Sequence, residues 1–245
     1  MVLSLRIADV LPSGALTGPA GPYLLGATTP DIRVLTRQDR RSTHFFDLSV
    51  HDHQDSVAAF LETYGQLADP AHLNEPTTAF VAGYVSHLVM DEQYITKMYR
   101  RYFGDHETLG GPMRTNVMDR LLQFEMERRS AGDPTMRVRI ADALARTIHG
   151  IEIGFIDGDT LDRWRGVTVE MAQRNMDWER TRALIGNHLR FSGLEEGETM
   201  ASFLDSLPEL LDETIAHITS DEIEGFLERC TEVAGRAVER YLGCG

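Results

Sequence analysis

The stretch Thr77–Phe103, TTAFVAGYVSHLVMDEQYITKMYRRYF, decides the fold. Phe80, Tyr84, Leu88, Ile95 and Met98 recur at steps of three, four and seven, so they line one face of a helix and not alternate faces of a strand. Pro76 breaks the chain ahead of the stretch and Gly104 ends it. The spacing therefore predicts one long helix with an apolar face that needs partners.

Outward from this helix the same period recurs. It predicts a short helix over Ser56–Leu67 and another over Met113–Arg129 behind Pro112. Asp133 and Pro134 read as an N-cap and a first-turn proline, opening a helix through Ile140, Leu144 and Ile148. After a turn over Gly150–Gly158, Thr160–Leu189 reads as a second long helix, with Trp164, Met171 and Trp178 on one broad side. A polar loop over Ser192–Glu198 leads to Ala201–Ile218 and to Asp221–Leu242, the latter introduced by Thr219 and Glu222 at capping-box spacing. Residues 1–50 differ. Pro12, Gly14, Gly18, Pro19, Gly21, Pro22 and Pro30 interrupt any sustained period, so loop with short helices is expected there. No strand alternation and no repeat is found. The expectation is an all-α, multi-helix bundle forming a single domain over residues 1–245, loop-rich over 1–50 and helical over 55–243.

Composition bounds the function. Among 245 residues, Lys and Arg number 24 and Asp and Glu 38, giving a net charge of −14. Such a surplus repels a phosphate backbone, which argues against nucleic acid as a partner. No run approaches the roughly 20 apolar residues that span a bilayer, so integral membrane association is not expected. Met1–Gly18 lacks the continuous apolar core of a signal peptide. Cys230 and Cys244 are the two cysteines, one of them near the C-terminus, which excludes a disulfide scaffold. A cytoplasmic protein is expected.

The polar members of the long helix carry the chemistry. His87 and Asp91 stand at i and i+4, side by side and one turn apart, where both side chains can reach one ion. A half-buried carboxylate beside an imidazole is costly unless paired, and a divalent cation pairs both. The bland alternative is a His–Asp hydrogen bond on a helix surface. In the N-terminal region, Pro30-Asp31 and Thr43-His44-Phe45 supply a further carboxylate and imidazole. Taken singly, these read as a turn acid and a packed histidine.

In combination they resemble the zinc-dependent phospholipase C family and its bacterial relatives. The resemblance rests on Gly26 with Pro30-Asp31, on Thr43-His44-Phe45 and on Gly83-Tyr84-x-x-His87-Leu88-x-x-Asp91, and it covers residues 25–99. It implies a phospholipase C-like helical bundle in which Asp31, His44, His87 and Asp91 complete one metal position. The family adds two zinc positions that draw on an N-terminal tryptophan and histidine and a later histidine and glutamate set. Met1–Gly18 contains neither Trp nor His, which leaves one position expected here.

Two carboxylates and two imidazoles suit Zn²⁺, and Fe²⁺ or Mn²⁺ would also accept them. The expected activity is hydrolysis of a phosphoester by a metal-bound hydroxide, on a small-molecule substrate that carries a phosphate. Asp91 and Arg33 are the expected catalytic residues. Arg33, Arg37 and Tyr84 are the expected substrate contacts, drawn from the Arg33, Arg37, Arg40, Arg41 run and from the metal helix. An iron-dependent oxygenase or cyclase using the same ligands is one alternative. A helical binding or scaffold protein with a structural ion is the other. His51-Asp52-His53 forms a second donor cluster, read alternatively as a hydrated loop with Asp52 or Asp55 capping the next helix. Lys97, Arg100 and Arg101 read as surface charges, and His149, His188 and His217 as packed or capping residues. The sequence does not give the oligomeric state.

Overall fold

The computed structural model describes residues 1–11, 20–130, 134–146, 149–174, 177–191 and 198–244. Among them all regular structure is helical and no strand occurs, so the all-α expectation holds. In chain order the helices are α1 (Val2–Val10), α2 (Gly21–Gly26), α3 (Arg33–Thr36), α4 (Arg40–His44), α5 (Ser56–Thr63), α6 (Glu75–Gln93) and α7 (Arg100–Tyr102). There follow α8 (Pro112–Ser130), α9 (Pro134–Ala145), α10 (Gly158–Gln173), α11 (Trp178–Phe191), α12 (Glu198–Asp205), α13 (Leu207–Ile218) and α14 (Ser220–Leu242). No helix among the described residues is long and apolar enough to cross a membrane.

The contacts gather into two compact units. One comprises Met1–Ile95, Asp133–Arg174 and Glu228–Gly245, and the other comprises Thr96–Gly132 and Asn175–Leu227.

The first unit is organised around α6. The Asn74 side chain caps its start by accepting from Thr77 N at 2.9 Å, with Pro76 in the first turn. Its Phe80, Tyr84 and Leu88 are fully buried, as the period requires. Helix α2 packs closely along α6, and α1, α5 and the 3₁₀ turn Thr29–Ile32 also lie against it. Two glycines permit the α2–α6 approach. A Cβ on Gly26 would meet Phe80 O at 1.9 Å, and one on Gly83 would meet Tyr23 O at 1.9 Å. Helix α9 packs on α1, α2 and α10. From α10 the buried Trp164 indole donates to Thr28 Oγ1 at 3.2 Å, just ahead of the Asp31 turn.

In the second unit α8 packs against α11 and α13, and α12 joins both of those helices. Glu125 of α8 is 2% exposed and accepts from the guanidinium groups of Arg128 at 2.7 Å and Arg129 at 2.8 Å. Phe124 meets Trp178 with ring centroids 5.9 Å apart.

Several boundaries differ from expectation for local reasons. The predicted Thr77–Phe103 helix changes period after Gln93: Tyr94–Tyr99 is a π-helical turn. Thr160–Leu189 is two helices, because Arg174 is extended (φ −84°, ψ 133°) and Asp177 caps a new start by accepting from Arg180 N at 2.8 Å. Trp164 and Trp178 therefore lie on different helices. Ala201–Ile218 is likewise divided at Ser206, with Pro208 in the first turn of α13. Within residues 1–50 the helical content exceeds expectation, beginning with Val2–Val10, which carries no capping side chain to announce it. The expected cap at Asp133 lies outside the described residues. Asp55 does cap α5, accepting from Ala58 N at 2.9 Å, and Glu92 of α6 accepts from both Ser56 N and Ser56 Oγ.

Candidate metal centre

Helix α6 sets the site. With α2 drawn against it at Gly26 and Gly83, the carbonyl of Ala27 at the end of α2 comes within 2.9 Å of His87 Nδ1. A carbonyl only accepts, so Nδ1 carries the hydrogen and Nε2 of the neutral ring presents a lone pair. Burial lowers the pKa of His87, and the neighbouring His44 lowers it further, against the opposing pull of Asp31 and Asp91. The ring is thus held neutral, with its lone pair aimed at a fixed point.

Helix α4 brings the second imidazole. Asp39 caps it by accepting from Arg41 N at 2.7 Å, and Phe45 ends it in the left-handed region at φ 54°. Phe45 is costly there for a bulky residue, but its ring packs on Phe60 and Tyr64, which fixes the turn. Tyr84 of α6 donates its hydroxyl to Thr43 O at 2.6 Å and anchors the same turn. Thr43 Oγ1 donates to Arg40 O at 3.2 Å and so accepts from His44 Nδ1 at 2.9 Å. His44 Nε2 is then also a lone-pair atom, 3.4 Å from His87 Nε2 and 3.5 Å from Asp31 Oδ1.

Asp31 completes the group from the solvent side, with its side chain 57% exposed. Lost hydration opposes its ionisation. The imidazoles of His44 and His87, whenever either carries a proton, and the guanidinium of Arg40 outweigh that and hold the carboxyl down at about 2. One donor atom from each of Asp31, His44 and His87 lies within 4.8 Å of the others, so the three residues can hold a metal ion.

The donor set fits such an ion on chemical grounds. Two imidazole lone pairs and a carboxylate converge, and each imidazole uses its other nitrogen for a hydrogen bond that fixes the ring, as metal-binding histidines do. Without positive charge between them the three acceptors repel one another. A proton on His44 Nε2 relieves one contact, while a divalent cation relieves all three.

The other expected site residues fall elsewhere. Asp91 does not join the three. It is engaged by the guanidinium of Arg40, so its distance from His87 along the helix is right but its carboxylate is already paired. Tyr84 is 1% exposed and turns its hydroxyl to Thr43, which makes it a positioning residue and not a substrate contact. Arg33 is exposed, two residues beyond Asp31. Together with Arg40 and Arg41 it lines an open surface cavity of about 350 Å³ whose other walls include Phe46 and Asp47. Arg41 pairs with Asp47 at 3.2 Å. Arg37 is exposed at the left-handed end of α3 and does not line the cavity.

His51, Asp52 and His53 are exposed and belong to no donor group among the described residues. His149 is exposed, and His217 donates from Nε2 to Tyr102 O at 2.9 Å. The side chain of His188 lies outside the described residues. Lys97 is exposed and Arg101 pairs with Glu222 at 3.2 Å, as surface charges do.

Sequence reasoning missed Thr43 and the backbone acceptor of Ala27 as orienting groups. The adjacency of Thr43 and His44 was a usable signal for the first, while a carbonyl has no letter in the sequence. Arg40 was seen only as one of four charges, although its i, i+4 relation to His44 on α4 mirrors that of Asp91 to His87 on α6. Compared with family models, with curated proteins and with solved structures, the chain finds no match in any of the three.

Proposed function

We propose that this protein is a metal-dependent hydrolase of a phosphoester, with Asp31, His44 and His87 as the ligands of a single divalent ion, most simply Zn²⁺. One observation carries the reading: three acceptor atoms on separate elements converge, each imidazole locked by a hydrogen bond on its far nitrogen. Two imidazoles and one carboxylate leave coordination positions for water and substrate. An ion held there supplies a water of lowered pKa and draws charge from an ester oxygen.

The chain's own groups do the rest. Asp31 is exposed while His44 is buried, so substrate approaches from the carboxylate side. Arg33 has no paired acid among the described residues and lines the open cavity, where its guanidinium can receive a phosphoryl anion, whereas Arg40 and Arg41 are engaged by Asp91 and Asp47. Tyr84 and Thr43 keep His44 in register. The resemblance to zinc-dependent phospholipases C adds support for Asp31, His44 and His87 and not for a lipid substrate.

The test is hydrolysis of bis-p-nitrophenyl phosphate by protein purified without a metal-affinity tag and reloaded with Zn²⁺. Turnover in the wild type that His87→Ala abolishes, with helicity retained, is the expected result. No turnover with Zn²⁺, Mn²⁺ or Fe²⁺ overturns it. A second reading has its own observation: two histidines and one carboxylate are also the ligand set of non-haem Fe²⁺ oxygenases. Oxygen consumption by the anaerobically Fe²⁺-loaded protein, without phosphodiester turnover, would favour that reading.

A further inference from the structure

Helices α4 and α6 each carry a polar pair at i and i+4, and the two pairs meet in reverse order. His44 of α4 faces His87 of α6, and one turn away Arg40 of α4 grips Asp91 of α6. The first rung is two acceptors that call for a cation, and the second is a carboxylate that already has one. The rungs are close enough to act on each other, since they stand one helical turn apart on both helices. Arg40 is itself tethered, donating from its other terminal nitrogen to Phe46 O at 3.5 Å. Both members of the pair are about one-fifth exposed, so solvent screens the pair only in part.

We propose that Asp91 is a withheld fourth ligand and that Arg40 is the residue that withholds it, keeping one coordination position open at the Asp31–His44–His87 centre. This rests on the metal reading of that centre and names what sets its coordination number. Asp91 sits where a fourth ligand belongs, one turn from His87 on a rigid helix. To reach the ion its carboxylate has to leave Arg40, and Arg40 would then lie beside a divalent cation with no acid to balance it. The tethered guanidinium therefore opposes a closed four-ligand sphere. A position left to exchangeable water is what separates a catalytic centre from a structural one.

The test uses Co²⁺, whose visible absorption reports coordination number, titrated into full-length wild type, Arg40→Met, Asp91→Asn and the double variant. Circular dichroism and thermal melting check each fold. Asp91→Asn should leave the visible spectrum of bound Co²⁺ unchanged, because Asp91 is not bound to the ion, while the unbalanced Arg40 lowers affinity. Arg40→Met should raise affinity tenfold or more and shift the spectrum as the carboxylate joins, and both changes should vanish in Arg40→Met/Asp91→Asn. If the double variant keeps the gain, Arg40 acts only as a repelling charge and the proposal fails. If Asp91→Asn alone shifts the Co²⁺ spectrum, Asp91 is already a ligand and the proposal fails. That variant still decides the matter should Arg40→Met not fold. Failure of the metal reading itself has a different signature: no Co²⁺ bound by wild type, with no difference from His44→Ala.

Discussion

Gly26 of α2 and Gly83 of α6 stand on opposite sides of one backbone contact, each occupying a place where a Cβ would lie 1.9 Å from a carbonyl oxygen of the other helix. That contact sets the height of Ala27 O against His87 and hence the direction of the His87 lone pair. Packing and chemistry are joined at this point, because the helices cannot separate without releasing the ring.

Gly83→Ala should therefore destabilise the fold by about 3 kcal/mol, since the obstruction is backbone and cannot rotate away. It should weaken Zn²⁺ binding as well. Gly166→Ala is the control: its Cβ meets nothing within 4 Å in the middle of α10, and it should stabilise by up to about 1 kcal/mol. Urea unfolding of the three proteins checks both signs, and equal effects at the two positions would refute the close-contact account.

Metal should also act on stability. Zn²⁺ at a hundredfold excess over its Kd should stabilise the wild type by about 2.7 kcal/mol, seen as a raised Tm. His44→Ala and His87→Ala should show no such rise, while His53→Ala, in the exposed loop, should respond as the wild type does. A Zn²⁺ effect that survives His87→Ala would place the ion elsewhere.

Tyr84→Phe removes one hydroxyl and leaves Thr43 O buried without its donor. The expected loss is about 1–2 kcal/mol of stability. Zn²⁺ affinity should fall about tenfold, because the turn that aims His44 loosens, as when groups behind metal ligands are lost. Calorimetric titration separates this from a substrate contact, which would leave affinity for the ion unchanged.

Glu125 gives a pH signature in the second unit. Lost hydration opposes its charge, but hydrogen bonds from Arg128 and Arg129 outweigh that and lower its pKa below the usual 4.5. A carboxyl depressed on folding contributes stability that is present above the unfolded value and lost as pH falls through the folded one. Glu125→Gln should therefore cost most at pH 7, and the gap to the wild type should close progressively below about pH 4.5. A gap that is constant with pH would mean the loss is packing alone.

The all-helical class was legible because Phe80, Tyr84 and Leu88 repeat at the helical period and end up fully buried. The division at Arg174 was not, since Trp164, Met171 and Trp178 keep an apolar rhythm across a break that backbone conformation makes. Within the site, His87 was legible from its place on the α6 stripe. Asp91 shows the limit of spacing: i, i+4 from a candidate ligand puts a carboxylate in reach without saying what else competes for it. Arg40 won that competition from α4, a short helix in a stretch whose sequence reads as loop. The Ala27 carbonyl lies beyond such reasoning, because its part is played by main-chain geometry that two distant glycines create.

The hydrogen bond from Trp164 to Thr28 has a wider consequence. Every proposed donor lies within the first ninety residues, yet the indole that steadies the approach to Asp31 is supplied from α10, far along the chain. An ion held by those donors would therefore depend on the folding of α10 as well as on the elements that carry its ligands.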